Sequence, residues 1–305
     1  MNMMTGGWKK DTYDARDYLY KAICPKVPYP QLINLSHLLP RDAARKVLVR
    51  NQKFVGACTG HAKGFALCAE ATQLGIWPEQ DYEWFSPTWI YNGARFIEGT
   101  LPYDLGAYPR DCCDWLVANG TLLEHFWPYD GTKLDKTAPG TTRMAQAVKY
   151  KDFAYWRVTD GVDGILGALN DGHVISIGAP WFEKWSDSEV ASTGVLPEVS
   201  PSDSVGGGHD TGIFLADQAA RVFIGLNSWG PEWGGSFDVP GCAGGLYALP
   251  FSAIEAYKAA GGYDAYVITF EKDPVGPGPE PGPQPEPNNP GCLLGSFGNI
   301  FKRSR

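Results

Sequence analysis

A cysteine, a histidine and an asparagine that suit nucleophilic catalysis stand far apart in this chain. Cys58 follows Gly56-Ala57 at the start of a segment with helical spacing. A free thiol is only a few per cent thiolate at neutral pH, so a cysteine nucleophile needs its negative charge stabilised. A helix N-terminus contributes at most about 2 kcal/mol, roughly one and a half pKa units, and a neighbouring imidazolium is needed for more. The sequence therefore predicts that Cys58 is paired with one of the five histidines.

His209 is the histidine whose surroundings best suit that pairing. It follows three glycines, 206–208, which allow a close backbone approach, and it begins an extended segment that continues over 211–215. His61 lies one turn past Cys58 on the same predicted helix, where it is badly placed to protonate a leaving amine. The remaining histidines are interpreted as surface or satisfied core residues: His37, His125 and His173.

Asn227 follows His209 by eighteen residues and ends the next predicted strand. If the two strands form a hairpin, the asparagine amide lies beside the imidazole and orients it, as the third member of a catalytic triad does. Trp229 is then placed to cover that hydrogen bond and to exclude water. The pattern predicts a triad of Cys58, His209 and Asn227.

The elements that must position these residues divide into a helical first half and a strand-rich second half. Helical spacing predicts helices that begin near Cys58, at Ser86-Pro87 and at Asp111. After a short helix over 161–169, strands are predicted at 173–177, 211–216, 221–226, 246–249 and 263–270. This order predicts an α+β fold with a helical lobe at about 45–135, a sheet lobe at about 150–272 and a substrate cleft between them.

In their order along the chain, these motifs resemble those of the papain family of cysteine peptidases, in the form common among bacterial and bacteriophage relatives. The resemblance covers most of residues 15–270, and Cys58 and His209 are 151 residues apart, at the edge of the papain spacing. It implies a two-lobed papain-like fold, with an N-terminal helical lobe, a C-terminal antiparallel β lobe and the active site between them. The motifs are Gln52 with Gly56-Ala57-Cys58-Thr59, Gly208-His209, and Asn227-Ser228-Trp229-Gly230 with Trp233-Gly234.

The resemblance also implies an endopeptidase that acts on polypeptides. Cys58 would attack the peptide carbonyl and form a thioester, with His209 as general acid and base, while Gln52 donates its amide to the oxyanion. Gly208 and Trp229 would support the site, and no metal or organic cofactor is expected. Two alternatives stay open: a papain-fold amidase or acyltransferase with a non-protein substrate, and a non-catalytic interaction module.

Three positions depart from the usual family pattern. Thr59 stands where many members have tryptophan, and Val55 stands where secreted members have a disulfide-forming cysteine. Asp210 stands where a small apolar residue is usual, and its carboxylate is expected to alter the pKa of the neighbouring imidazole. No leading segment long enough for the usual inhibitory propeptide is recognised, so the sequence does not explain how activity is controlled.

Composition and charge restrict the partners and the location. The formal net charge of -8 argues against nucleic acid or an anionic membrane as the main partner. No apolar run is long enough for a secretory signal or a transmembrane segment, so a cytoplasmic or virion-carried protein is expected. The seven cysteines are too few for a disulfide scaffold and lack the spacing of a zinc site.

The C-terminal end differs in composition from the rest. The peptidase domain is predicted to span 1–272, and a linker rich in proline and glycine follows at 273–290. In 291–305, apolar residues fall on one helical face, which indicates either a short peptide that docks on a partner or a disordered end. These residues are Leu293, Leu294, Phe297, Ile300 and Phe301.

Overall fold

The computed structural model describes residues 6–15, 17–20, 28–76, 84–151 and 153–270. The predicted linker and tail lie outside these residues. The α-helices of the described part are α1 (Cys58–Gln73), α2 (Pro87–Ile97), α3 (Pro109–Asn119), α4 (Thr141–Ala147), α5 (Gly161–Asn170), α6 (Ser188–Thr193) and α7 (Ser252–Ala259). The strands are β1 (Leu32–Asn34), β2 (Phe153–Arg157), β3 (Ile175–Phe182), β4 (Val205–Asp217), β5 (Val222–Leu226), β6 (Leu246–Pro250) and β7 (Asp264–Phe270).

The strands form one antiparallel sheet in the order β2-β7-β3-β4-β5-β6, and β1 also pairs with β4. β4 is the longest strand, with 13 residues. It begins at Val205, four residues before His209, because the backbone of the glycine run pairs with β3. The expectation that the extended segment starts at His209 was therefore wrong. β1 comes from the N-terminal half, so the sheet is not built from the second half of the chain alone.

Helix α1 lies against the sheet, in contact with β4, β7 and β3, and on its other side it contacts α2 and α3. Every residue from Cys58 to Ala71 is buried, and the frequent alanines and glycines of this helix let its neighbours approach closely. The predicted start of α2 is confirmed, since the Ser86 hydroxyl accepts the N–H of Trp89 at 3.1 Å and Pro87 is the first helical residue.

Successive residues of β4 enter different cores, because side chains alternate across a strand. Phe214 belongs to the core shared with α1, α2 and α3, whereas Ile213 belongs to the core shared with α5 and α7. The same alternation sends His209 and Asp210 to opposite sides of β4. Together, the helical part and the antiparallel sheet form the two-lobed α+β, papain-like fold that the sequence predicts.

None of the helices that the structure describes combines the length and the apolar character that a membrane span requires.

Candidate active site

Cys58 is the first residue of α1 and is completely buried. The loop before it is held by Asp104, whose carboxylate accepts the N–H of Gly56 at 3.0 Å and the hydroxyl of Tyr91 at 2.5 Å. This loop points the N-terminus of α1, with its partial positive charge, toward the thiol. The predicted helix start at Cys58 is confirmed.

His209 and Asn227 lie side by side on the hairpin of β4 and β5. The histidine Nε2 and the asparagine Oδ1 are 2.8 Å apart. Asn227 Oδ1 also accepts the backbone N–H of Ser228 at 2.7 Å, which fixes the direction of the amide. Among the described residues, His209 Nδ1 has no hydrogen-bond partner. One ring nitrogen is therefore oriented, and the other is available to exchange a proton.

The thiol of Cys58 meets the sheet next to His209. The backbone N–H groups of Thr59, on its own helix, and of Asp210, the residue after the histidine, lie near the sulfur and lower its pKa. These N–H groups favour the thiolate. The structure thus brings a sulfur from the helical lobe to the strand of the sheet lobe that carries the imidazole.

An aromatic shell surrounds the imidazole. Trp229 stacks on it with ring centroids 4.6 Å apart, as its expected covering role requires, and Trp181 meets it edge-on at 5.3 Å. Trp181 also packs edge-on against Trp229 at 5.0 Å. Trp181 is itself buried in the core that the sheet shares with α5 and α7. The contact with His209 follows from the pairing of β3 with β4, which no local pattern reveals.

Gln52 is held close to the thiol by a network that the sequence did not predict. Its Oε1 accepts the hydroxyl of Ser228 at 2.6 Å, and its backbone N–H donates to the Ser228 carbonyl at 2.7 Å. Its Nε2 donates to the Val55 carbonyl at 3.1 Å. Since Ser228 follows Asn227 directly, the amide donor and the residue that orients the histidine are fixed by one segment.

The other histidines do not take part in this arrangement. His61 is buried, and its Nδ1 lies 2.8 Å from the Ala57 carbonyl. His173 is buried with Nδ1 3.7 Å from the Glu70 carboxylate. His37 and His125 are exposed.

Residues 6–11, which we call the cover, lie over the thiol. A methyl group placed on Gly7 would lie 2.7 Å from the Cys58 sulfur and would collide with the Gly56 carbonyl, so only glycine fits here. The Trp8 indole lies against Gly178 and Gly208, where neither position has room for a side chain. Because Gly208 has no side chain, the Trp8 indole can lie directly against its backbone. A substrate carbonyl can reach the sulfur only after Gly7 has moved.

The cover is bonded to both lobes. On the helical side, Gly7 and Lys9 exchange backbone hydrogen bonds with Ala107 at 2.9 and 3.1 Å. On the sheet side, the Trp8 Nε1 donates to the Asp264 carboxylate at 3.0 Å, and the Asp11 N–H donates to it at 2.9 Å. The cover therefore bridges the cleft between the two lobes.

Burial moves both reactive groups toward their neutral forms in this conformation. It raises the pKa of Cys58 to about 12, with a smaller contribution from the charge of Asp210. It lowers the pKa of His209 to about 4, against the hydrogen bond with Asn227. The expected thiolate is therefore absent here, because the desolvation of both groups outweighs the helix N-terminus and the N–H donors.

Comparisons with known proteins agree with this architecture. No family model matches the chain. An uncharacterized peptidase C1-like protein of Acanthamoeba polyphaga mimivirus is 29% identical over 235 residues, which are 74% of this chain and 70% of the relative.

Solved structures share the fold. Xylellain, a cysteine protease from Xylella fastidiosa, superposes with a TM-score of 0.73 at 25% identity, over 87% of this chain and 96% of that one. Digestive procathepsin L 3 of the Tenebrio molitor larval midgut has a TM-score of 0.59 at 14% identity, over 84% and 75%, which supports the fold alone. In its fold and in its relatives, the chain is similar to the papain-like cysteine peptidases.

Proposed function

We propose that the chain is a cysteine endopeptidase in which Cys58 is the nucleophile, His209 the general acid and base, and Asn227 the residue that orients the histidine. One observation carries the assignment: Asn227 holds one nitrogen of a buried imidazole while the other nitrogen has no partner in the described part of the chain. The backbone N–H of the residue next to that histidine lies near the thiol and lowers its pKa.

The reaction follows from this arrangement once the cover has moved. His209 takes the thiol proton, and the Cys58 sulfur attacks the carbonyl carbon of a peptide bond. The C–N bond breaks as the leaving amine takes that proton from His209, and a thioester remains. Water then attacks the thioester with His209 as base, which releases the acid and restores the thiol.

Gln52 is proposed as the donor to the oxyanion, together with the backbone N–H of Cys58. The Ser228 hydroxyl on Gln52 Oε1 directs the other end of the amide, its N–H₂, toward the loop that carries the thiol. A donor that is already oriented stabilises the developing charge without reorganisation. Gly208 and Trp229 support the site through the close backbone approach and the stacked ring.

Peptide hydrolysis is favoured over the two alternatives. The mimivirus relative is named peptidase C1-like, and xylellain is described as a cysteine protease. A non-catalytic module would have no need for an oriented histidine beside a thiol. The substrate is a polypeptide.

Cleavage of unfolded casein under reducing conditions tests the proposal. We expect fragments from the wild type, a higher rate from Gly7→Val, and no cleavage above background from Cys58→Ala. Cys242→Ala is the matched control, because this second thiol is only half-buried and lies on a separate loop. No cleavage by either the wild type or Gly7→Val would contradict the peptidase assignment.

The location in the cytoplasm or in a virion stays a prediction. Docking of a partner on residues 291–305 is likewise a prediction.

A further inference from the structure

A lysine and an aspartate that the catalytic mechanism does not use are buried behind the thiol. Lys63 on α1 and Asp210 on β4 are both fully buried, with Nζ and Oδ2 3.1 Å apart. Lys63 Nζ also donates to the Ser176 hydroxyl on β3 at 2.5 Å. We call these three residues the floor of the site.

The floor joins the two elements that carry the reactive groups. Lys63 lies five residues after Cys58 on the same helix, and Asp210 follows His209 directly on the same strand. Because side chains alternate across β4, the Asp210 carboxylate points away from the imidazole side and into the contact with α1. This ion pair links α1 to β4, close to the residues that carry the thiol and the imidazole.

Packing alone does not account for a buried ion pair. Removing two charges from water costs about as much as their attraction returns, so an apolar pair of similar volume is often as stable. One oxygen of the carboxylate, Asp210 Oδ1, has no hydrogen-bond partner in the described part of the chain, which adds to the cost. The role of these charges is therefore to hold α1 in position on β4 and to act electrostatically on the thiol.

We propose that Lys63 and Asp210 are positioning residues: together they fix the catalytic helix against the strand of His209 and give Cys58 a charge-balanced floor. The proposal rests on the assignment of Cys58 as the nucleophile. It adds two residues whose side chains are not assigned any contact with substrate or with the reacting atoms.

The two charges act on the thiol in opposite directions. Asp210 raises the pKa of Cys58, and Lys63 lowers it. Burial raises the pKa of Asp210 itself to about 7, against the attraction of Lys63. Burial is the largest single influence and lowers the pKa of Lys63, but the charge of Asp210 acts together with Cys113, Cys112 and the Asp210 hydrogen bond to raise it overall.

Other titratable groups face the floor from each neighbouring element. Lys63 also faces Cys112 and Cys113 of α3, and it lies 5.3 Å from the Tyr266 ring of β7. Asp210 also faces Asp264 of β7 and Asp11 of the cover. Tyr91 and Tyr129 face the thiol itself. Single substitutions in the floor leave the identity of all of these groups unchanged, and the double variant accounts for the effect of the two charges on each other.

The test is the pH dependence of alkylation at Cys58. The rate of modification by iodoacetamide is followed by mass spectrometry of the Cys58 peptide in the full chain, for the wild type, Asp210→Asn, Lys63→Met and the double variant. We expect the midpoint of the acid limb to fall by about half to one pH unit in Asp210→Asn and to rise by about as much in Lys63→Met. The double variant should return to near the wild-type midpoint.

Shifts of the alkylation midpoint in opposite directions would show that the two charges act electrostatically on the thiol and do not only hold the structure together. A structural role would lower the plateau rate of every variant or move all midpoints in one direction, and that result would overturn the proposal. If Lys63→Met does not fold, the midpoints of Asp210→Asn and of the double variant can still be compared. Their difference gives the direction in which Lys63 shifts the pKa of the thiol. Because alkylation needs no peptide substrate, failure of this test and failure of casein cleavage are distinguishable.

Discussion

The thiol of Cys58 is enclosed from two sides by groups of different kinds. Beneath it, the floor consists of side chains from α1, β3 and β4, all fully buried and joined by a charged pair. Above it, the cover is irregular backbone that contacts the sulfur through a glycine and is bonded to both lobes. Both sides keep water from the sulfur, but only the floor belongs to the secondary structure.

The difference indicates which side can open. Removing the floor means separating α1 from the sheet, which breaks the main core. Removing the cover breaks its hydrogen bonds to both lobes, each of which contributes about 1 kcal/mol, together with the Lys9–Glu98 ion pair and the buried contacts of Asp11. It also exposes one half-buried indole, but it separates no helix from the sheet. The high pKa of the thiol in this conformation therefore depends on the cover, which can be displaced. The alignment of the sulfur with β4 depends on the floor, which cannot.

The largest effect is expected from breaking the floor. Lys63→Met leaves a buried carboxylate without its partner, so we expect the free energy of unfolding to fall by about 3 kcal/mol, measured by urea denaturation at pH 7.5. Adding Asp210→Asn removes the unpaired charge and should recover most of that loss. A single variant as stable as the wild type would show that the floor does not hold the lobes together.

A smaller effect is expected from the buried imidazole that both sides enclose. The folded-state pKa of His209 is lowered to about 4, below its unfolded value near 6.5. The unfolded chain therefore binds more protons between these values, and stability falls as the pH drops through this window. His209→Gln should remove about 2–3 kcal/mol of the stability lost between pH 7 and pH 4.

Urea denaturation at the two pH values checks this prediction. His37→Gln is the control, because that histidine is exposed. Equal pH dependence in His209→Gln and the wild type would mean that the cover already opens and hydrates the imidazole.

The smallest effect is expected from displacing the cover. Gly7→Val places a side chain against the sulfur and the Gly56 carbonyl, and such overpacking typically costs 1–3 kcal/mol, so the cover should lift. We expect alkylation of Cys58 to rise about tenfold, which corresponds to about 1.4 kcal/mol. Gly6→Val is the matched control, because a side chain on Gly6 meets nothing within 4 Å. Equal rates in both variants would contradict the role of the cover.

Much of the fold and of the candidate site could be predicted from local pattern. The start of α1 at Cys58, the Ser86 cap of α2 and the hairpin that joins His209 to Asn227 each depend on residues close together in sequence. Asp210 shows where that reasoning ended. It was expected to act on the neighbouring imidazole, whereas its carboxylate bonds to Lys63, 147 residues away.

The sequence by itself determined the class of chemistry, because a thiol, an imidazole and two amides in this order suit acyl transfer and little else. Only the tertiary structure decided what encloses that chemistry: Gly7 above the sulfur, Trp8 against Gly208, and the ion pair below. These contacts join segments that are distant in the chain, and their fit depends on backbone positions within a fraction of an ångström. No periodicity or local motif records such distances.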